Sequence, residues 1–161
     1  LLFPKGLTEL GEAVTCNVPR DLESLVEFVN ENCGTLRKSD GLLNEEAGRI
    51  ASLDKLARSF SGSEGDVEAI SAAANELSDE EKHFGLYYAR VAANARSRGL
   101  DYPSAEKARL ERILGSGHVN DHRVDEFVAR TNILSVFESA SAAPPAPCAS
   151  PPVEEGADDE L

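Results

Sequence analysis

The segment SDEEKHFGLYYARVAANARSRG, residues 78–99, predicts a long helix and decides the fold class. Ser78 and Glu81 have the spacing of a capping box, in which two side chains satisfy backbone N–H groups at a helix start. Apolar side chains then recur at three- and four-residue intervals, which places them on one helix face. These are Phe84, Tyr87, Tyr88, Val91 and Ala95. Gly99 marks the expected end of the helix.

Amphipathic segments on both sides of this helix predict four more. Their expected starts are Ser52, Ser63, Asp101 with Pro103 in the first turn, and Asn120 or Asp121. Short segments rich in glycine and serine separate several of them, and no good strand candidate occurs between Ser52 and Phe137. Amphipathic helices joined by short loops pack into a bundle. The sequence therefore predicts a mainly α fold with a five-helix bundle.

The first 34 residues have a different pattern. LLFPKG and GEAVTCNV predict two short strands, and PRDLESLVEFVNENCG predicts a helix with Asp21 as its N-cap and Gly34 just past its end. Two strands and one helix cannot bury a core alone, so we expect a β-β-α remnant whose packing partners are missing. Residues 35–51 have no sustained periodicity and are predicted to be a linker.

Composition limits the possible functions. The net charge is −13 and no cluster of lysine and arginine forms a basic stripe, which argues against nucleic-acid binding. No apolar run approaches the roughly 20 residues that a membrane-spanning helix needs, so we expect no membrane insertion. Residues 139–161 are rich in proline and contain no basic residue, which predicts a disordered acidic tail.

The residues that carry catalysis or bind metals do not form a recognisable pattern. Cys16, Cys33 and Cys148 are far apart and make no C-x-x-C, so neither a redox pair nor a zinc site is predicted. His118 and His122 straddle a helix start and need not share a face. No glycine-rich loop carries the G-K-[ST] of a phosphate site. From the cysteines, the histidines and the loops together, we expect no catalytic residue, metal or cofactor in this chain.

Phe84, Tyr87 and Tyr88 are the main aromatic concentration of the sequence. One hypothesis is that they line a hydrophobic groove that contacts unfolded client peptides. The alternative is that they belong to the core, with one hydroxyl group reaching solvent.

Two stretches resemble one protein family. LLFPKG, followed by RDLESLVEFVNENCGT, resembles the last two strands and last helix of a thioredoxin-fold domain in a protein disulfide isomerase of the plant and algal type. The helical region, above all GLDYPSAEKARLERIL and NILSVF, resembles the D domain that follows such domains and also occurs in the twenty-nine-kilodalton endoplasmic reticulum protein. The resemblance implies a thioredoxin remnant at 1–34, a linker at 35–51, a D domain at 52–138 and a tail at 139–161.

The resemblance also implies residence in the endoplasmic reticulum lumen. Isomerases of this family commonly end in K-D-E-L or H-D-E-L, and this chain ends in Asp158, Asp159, Glu160 and Leu161. We expect a retention receptor to recognise these four residues. Asp158 stands where Lys or His is usual, which removes a positive charge from the signal.

The function implied by the resemblance is oxidative protein folding. The chain begins at Leu1 without a methionine, and we expect the family's catalytic C-x-x-C to lie upstream. The chain would then be the C-terminal fragment of a protein disulfide isomerase that positions catalytic domains or contacts unfolded or disulfide-containing clients. The alternative is a redox-inactive folding helper that binds clients. Whether the parent protein is an enzyme depends on the upstream thiol motif.

Overall fold

A computed structural model of the chain describes residues 2, 14–117 and 119–141, and these residues form six α-helices. The helices are α1 (Leu22–Cys33), α2 (Ala51–Arg58), α3 (Glu64–Asn75), α4 (Asp79–Arg98), α5 (Tyr102–Gly115) and α6 (Asp121–Ser141). Within the described part, β pairing is limited to two isolated antiparallel bridges, Leu2 with Val14 and Arg37 with Leu43. The described helices include none with the length and apolar character needed to cross a membrane.

Two helix starts follow directly from local side-chain chemistry. At α1, the Asp21 side chain accepts a hydrogen bond from the Ser24 N–H at 2.9 Å. At α3, the Ser63 hydroxyl accepts from the Asp66 N–H at 3.1 Å, and the Asp66 carboxylate accepts from the Ser63 N–H at 3.3 Å. Each pair satisfies backbone donors that have no partner inside the helix. The predicted starts of both helices are therefore confirmed.

Helices α2 to α6 pack around one hydrophobic core, with the closest pairing between α3 and α4 and between α5 and α6. Helices α3, α4 and α6 each bury a large aromatic or β-branched side chain, whereas α2 and α5 each bury a leucine. The largest fully buried side chains are Tyr88, Leu53, Ile70, Leu110, Ile133, Leu134 and Val91. Phe60 and Phe137 meet edge to face with their ring centroids 5.6 Å apart. The mainly helical bundle is thus confirmed.

The structure departs from the prediction at the N-terminus. The prediction was a five-helix bundle after a β-β-α remnant; the described residues contain six helices, of which α2 to α6 form the bundle, and no strand. Most of the first predicted strand and of the hairpin that follows it lies outside the described residues. The helix of the remnant is present as α1, but it packs against none of the other described helices.

Two predicted boundaries and one predicted capping box need correction. Helix α2 begins at Ala51 after Ile50, so Ser52 lies inside the helix and is not its cap. Ser78 is the N-cap residue of α4, but the predicted capping box does not form, because the Ser78 hydroxyl donates to the Glu81 carboxylate at 2.9 Å and not to a backbone partner. Residues 139–141, predicted to belong to the disordered tail, form the last turn of α6, and residues 142–161 lie outside the described part.

Candidate functional site

The segment 35–50, which we call the strap, lies against one face of α6. The Arg37 guanidinium donates to both carboxylate oxygens of Asp125 at 2.7 and 2.6 Å. The Asn132 side-chain amide donates to the Asn44 and Ala47 carbonyl oxygens at 2.8 and 3.0 Å. The strap makes up most of the segment that was predicted to be a linker. Although this segment has no periodicity, it is bound to α6.

Close backbone packing fixes the strap between these two polar contacts. Gly48 has φ +77°, in the left-handed region that glycine adopts without strain. A Cβ at this position would lie 2.6 Å from the Ala129 Cβ. Ala129 is fully buried and follows Asp125 by four residues, with Asn132 three residues further on. The i, i+4, i+7 spacing places all three on one face of α6, which is the surface that receives the strap.

Tyr88, one of the three aromatic residues singled out in the sequence, is fully buried. Its hydroxyl donates to Oδ1 of Asp54 and accepts from the Ile50 N–H at 3.4 Å. Burial raises the pKa of Tyr88 well above its usual range, and the hydrogen bond to Asp54 raises it further. Tyr88 thus belongs to the core, and a client cannot reach its ring while the bundle is folded.

Asp54 is buried and carries a potential negative charge into the core. Arg49, at the end of the strap, donates to Oδ2 of Asp54 from Nε at 2.9 Å and from Nη2 at 2.6 Å. A buried carboxylate is tolerated when it is paired and hydrogen-bonded, as Asp54 is by Arg49 and Tyr88. The network joins the strap, α2 and α4.

Tyr87 and Phe84 are only partly buried. The Arg130 guanidinium lies 5.0 Å from the centre of the Tyr87 ring, within cation–π distance, and Nη2 of Arg130 binds the Glu126 carboxylate at 2.5 Å. Burial raises the pKa of Tyr87 above its usual range. Because Arg130 covers one ring and Tyr88 lies in the core, the three aromatics do not form one open groove.

A more open apolar surface lies on α1. The side chains of Leu22, Leu25 and Val29 are 61%, 37% and 39% exposed, at i, i+3 and i+7 of the helix. Together with the first part of the strap they line a groove of about 390 Å³. The sequence predicted that the packing partners of this remnant would be missing. The described residues provide no partner that buries them.

The remaining candidate residues are distributed as follows. Residues Asp158 to Leu161 and His118 lie outside the described part, as does Cys148. Cys33 is exposed at the end of α1, and Cys16 is partly buried; both are free thiols. Within the described part, no group of three or more His, Cys, Asp or Glu side chains could hold a metal ion.

The described residues form a small helical domain with one hydrophobic core. The family model "Endoplasmic reticulum protein ERp29, C-terminal domain" matches residues 48–137. The chain therefore belongs to the family of the ERp29 C-terminal domain. No solved structure matches the chain.

Relatives of known name are protein disulfide isomerases. The chain is 40% identical over 142 residues to protein disulfide isomerase-like 2-2 of Oryza sativa subsp. japonica, covering 85% of this chain and 37% of that protein. It is 39% identical over 135 residues to protein disulfide-isomerase tigA of Aspergillus niger, covering 84% and 35%. It is 34% identical over 140 residues to the probable protein disulfide-isomerase A6 of Medicago sativa, covering 84% and 37%. The chain thus spans between 35% and 37% of the length of these three relatives.

Proposed function

We propose that this chain is the C-terminal part of a protein disulfide isomerase of the endoplasmic reticulum lumen, acting in oxidative protein folding. The observation that carries the proposal is the match to relatives of that name over 84% to 85% of this chain. The helical domain belongs to the ERp29 C-terminal domain family, whose name refers to the same compartment. The chemistry of the longer protein is thiol–disulfide exchange.

In this proposal no residue of the chain is catalytic. Exchange requires a thiolate with a lowered pKa, which proteins obtain with a C-x-x-C at a helix N-terminus. The three cysteines here are widely spaced, and Cys33 lies at the C-terminal end of α1, where the helix dipole does not favour a negative charge. The reactive pairs would lie in the part of the longer protein that precedes Leu1.

The apolar face of α1 would pack against the sheet of the preceding thioredoxin-fold domain, of which residues 1–34 would form the end. Full burial of one leucine or valine side chain contributes about 1.5–3 kcal/mol. The exposure of Leu22, Leu25 and Val29 supports this role, since such a row of apolar side chains is characteristic of a helix face that packs on another element. The bundle would then position the catalytic domains relative to clients.

Client contact and retention complete the proposed role. Of the three aromatics, Phe84 and Tyr87 have ring surface that can reach a client, and Tyr88 would support them from the core. Unfolded and disulfide-containing proteins are the expected partners, because the parent chemistry acts on their thiols. The final residues Asp158 to Leu161 would bind a retention receptor.

The first experiment is the intact mass of the native protein, with peptide sequencing upstream of Leu1, followed by insulin reduction in dithiothreitol. We expect a longer chain with at least one C-x-x-C that accelerates the reduction. The chain of 161 residues serves as the control and should leave the uncatalysed rate unchanged. A native protein that lacks the motif, shows no turnover and suppresses aggregation of a denatured client would instead support a redox-inactive folding helper.

A further inference from the structure

We infer that the strap is a rigid connection which holds α1, and the domain to which α1 belongs, at a fixed angle to the helical bundle. The identity of that preceding domain rests on the proposed function, but the rigidity of the connection rests on contacts within this chain. Three sets of contacts follow one another from α1 to α6.

The first set joins α1 to the strap through a single side chain. Asn30 lies in the last turns of α1, and its Oδ1 accepts from the Thr35 hydroxyl at 2.8 Å and from the Arg37 N–H at 3.0 Å. Its Nδ2 donates to the Arg37 carbonyl oxygen at 2.7 Å. Gly34, with φ +64°, ends the helix and turns the chain back toward Asn30. Three hydrogen bonds from one amide leave little rotational freedom between α1 and Arg37.

The second set makes the strap itself stiff. Backbone hydrogen bonds from the Lys38 N–H to the Leu42 oxygen at 2.8 Å and from the Asn44 N–H to the Leu36 oxygen at 2.7 Å close a short hairpin. Nη1 of Arg37 also donates to the Gly41 oxygen across the hairpin at 2.9 Å. The strap therefore enters its contact with α6 as a closed loop.

The third set attaches the strap to α6. The bidentate pair of Arg37 with Asp125 fixes direction as well as distance, because its two hydrogen bonds run parallel and keep the guanidinium and the carboxylate close to one plane. Asn132 donates to two carbonyl groups of the strap, those of Asn44 and Ala47, and Gly48 packs directly on Ala129. Arg37 takes part in all three sets of contacts, so this one residue connects α1 to α6.

The consequence concerns the longer protein. A flexible linker would let the catalytic domain sample many orientations relative to the bundle. A docked strap would instead keep the α1 face and the bundle surface around Phe84 and Tyr87 in one relative orientation. A client bound by the bundle would then meet the catalytic domain from a constant direction.

Residual dipolar couplings of backbone amides in the chain of 161 residues test the inference directly. We expect one alignment tensor to fit α1 and α2 to α6 together. In the double variant Arg37→Gln/Asn132→Ala, we expect the α1 couplings to fall to about half or less while those of the bundle keep their values. Lys38→Gln is the matched control, because Lys38 is an exposed strap cation whose ion pair, at 3.7 Å, is with Asp40 of the strap itself.

Two results would overturn the inference: α1 couplings already averaged in the unsubstituted chain, or a single tensor that persists in the double variant. If Asn132→Ala unfolds the bundle, Arg37→Gln alone gives the same readout, since the Arg37 side chain lies at the surface. The measurement requires no isomerase activity. A result against the rigid strap would therefore not contradict the proposed function. Equally, a longer protein without C-x-x-C would contradict the proposed function but not the rigid strap.

Discussion

The Tyr88 hydroxyl donates a hydrogen bond to Asp54, and through Asp54 it is connected to Arg49 at the end of the strap. Tyr88 lies on α4 and Asp54 on α2, so this pair crosses the core of the bundle. Tyr88, which the sequence offered as a possible contact for clients, thus has a structural role. Its polar end satisfies a carboxylate that the fold has buried.

Tyr88→Phe should lower the free energy of unfolding. The substitution keeps the ring but leaves Oδ1 of Asp54 without its tyrosine donor, and an unsatisfied buried polar group costs about 1–3 kcal/mol. Urea unfolding of the chain measures the loss. Tyr102→Phe is the control, because the Tyr102 hydroxyl accepts only one longer bond, 3.3 Å, from the partly buried Asn94. Equal losses in the two variants would contradict the importance of the Tyr88–Asp54 pair.

Gly48→Ala and Gly41→Ala separate backbone strain from strap packing. Both glycines have φ near +80°, at +77° and +83°. At either site, alanine costs about 1–2 kcal/mol for the left-handed conformation. Gly41 has no neighbour within 4 Å of an added Cβ, whereas at Gly48 the Ala129 Cβ lies 2.6 Å away.

Because overpacking adds about 1–3 kcal/mol, Gly48→Ala should be the more destabilising variant by that amount. The denaturant midpoints of the two variants, compared with that of the unsubstituted chain, give the difference. Equal midpoints would mean that the strap moves off α6 at little cost.

Acid should weaken the start of α3. Hydrogen bonds to Asp66, first from the Ser61 hydroxyl and then from the Ser61 N–H, hold the pKa of Asp66 below its usual value of 3.8. The unfolded chain then takes up the proton first as pH falls. This contribution to stability is complete above the usual pKa and is lost as pH falls through the lower pKa of the folded state.

Urea midpoints measured from about pH 5 to about pH 2 test this dependence. Asp66→Asn should remove the part of the pH dependence that comes from this carboxyl group. Ser61→Ala should reduce it, because the hydroxyl is the largest cause of the lowered pKa. If Asp66→Asn and the unsubstituted chain lose stability in parallel, the cap does not titrate as described.

Leu22→Ser tests whether the α1 face packs on a preceding domain. In the chain of 161 residues Leu22 is 61% exposed, so the effect on unfolding should be small, within about 0.5 kcal/mol. In the longer native protein, where the proposal buries this side chain, the loss should reach about 1–2 kcal/mol. Leu86→Ser, at an α4 position that is 51% exposed, is the control and should have a small effect in both proteins. A small effect of Leu22→Ser in the longer protein would contradict the packing.

These sites also show which parts of the structure the sequence could predict. The starts of α1 and α3 depend on side chains within three residues of the backbone they cap, so Asp21 and Ser63 were recognisable. The strap depends on pairs such as Arg37 with Asp125, which are 88 positions apart. Periodicity contains no information about such pairs. Tyr88 shares its helix face with partly buried residues, so spacing alone could not distinguish core from groove.

The C-terminal residues allow a test in cells. Asp158→Lys introduces the positive charge usual at the first position of a retention signal and should raise the fraction of protein kept inside the cell, whereas deletion of residues 158–161 should lower it. The change from Asp to Lys also makes the whole tail less acidic. Glu154→Lys makes the same change of charge outside the last four residues and is the matched control. Intracellular and secreted fractions can be compared by immunoblot. If both lysine variants raise retention equally, the charge of the tail determines retention, and receptor recognition of the last four residues does not.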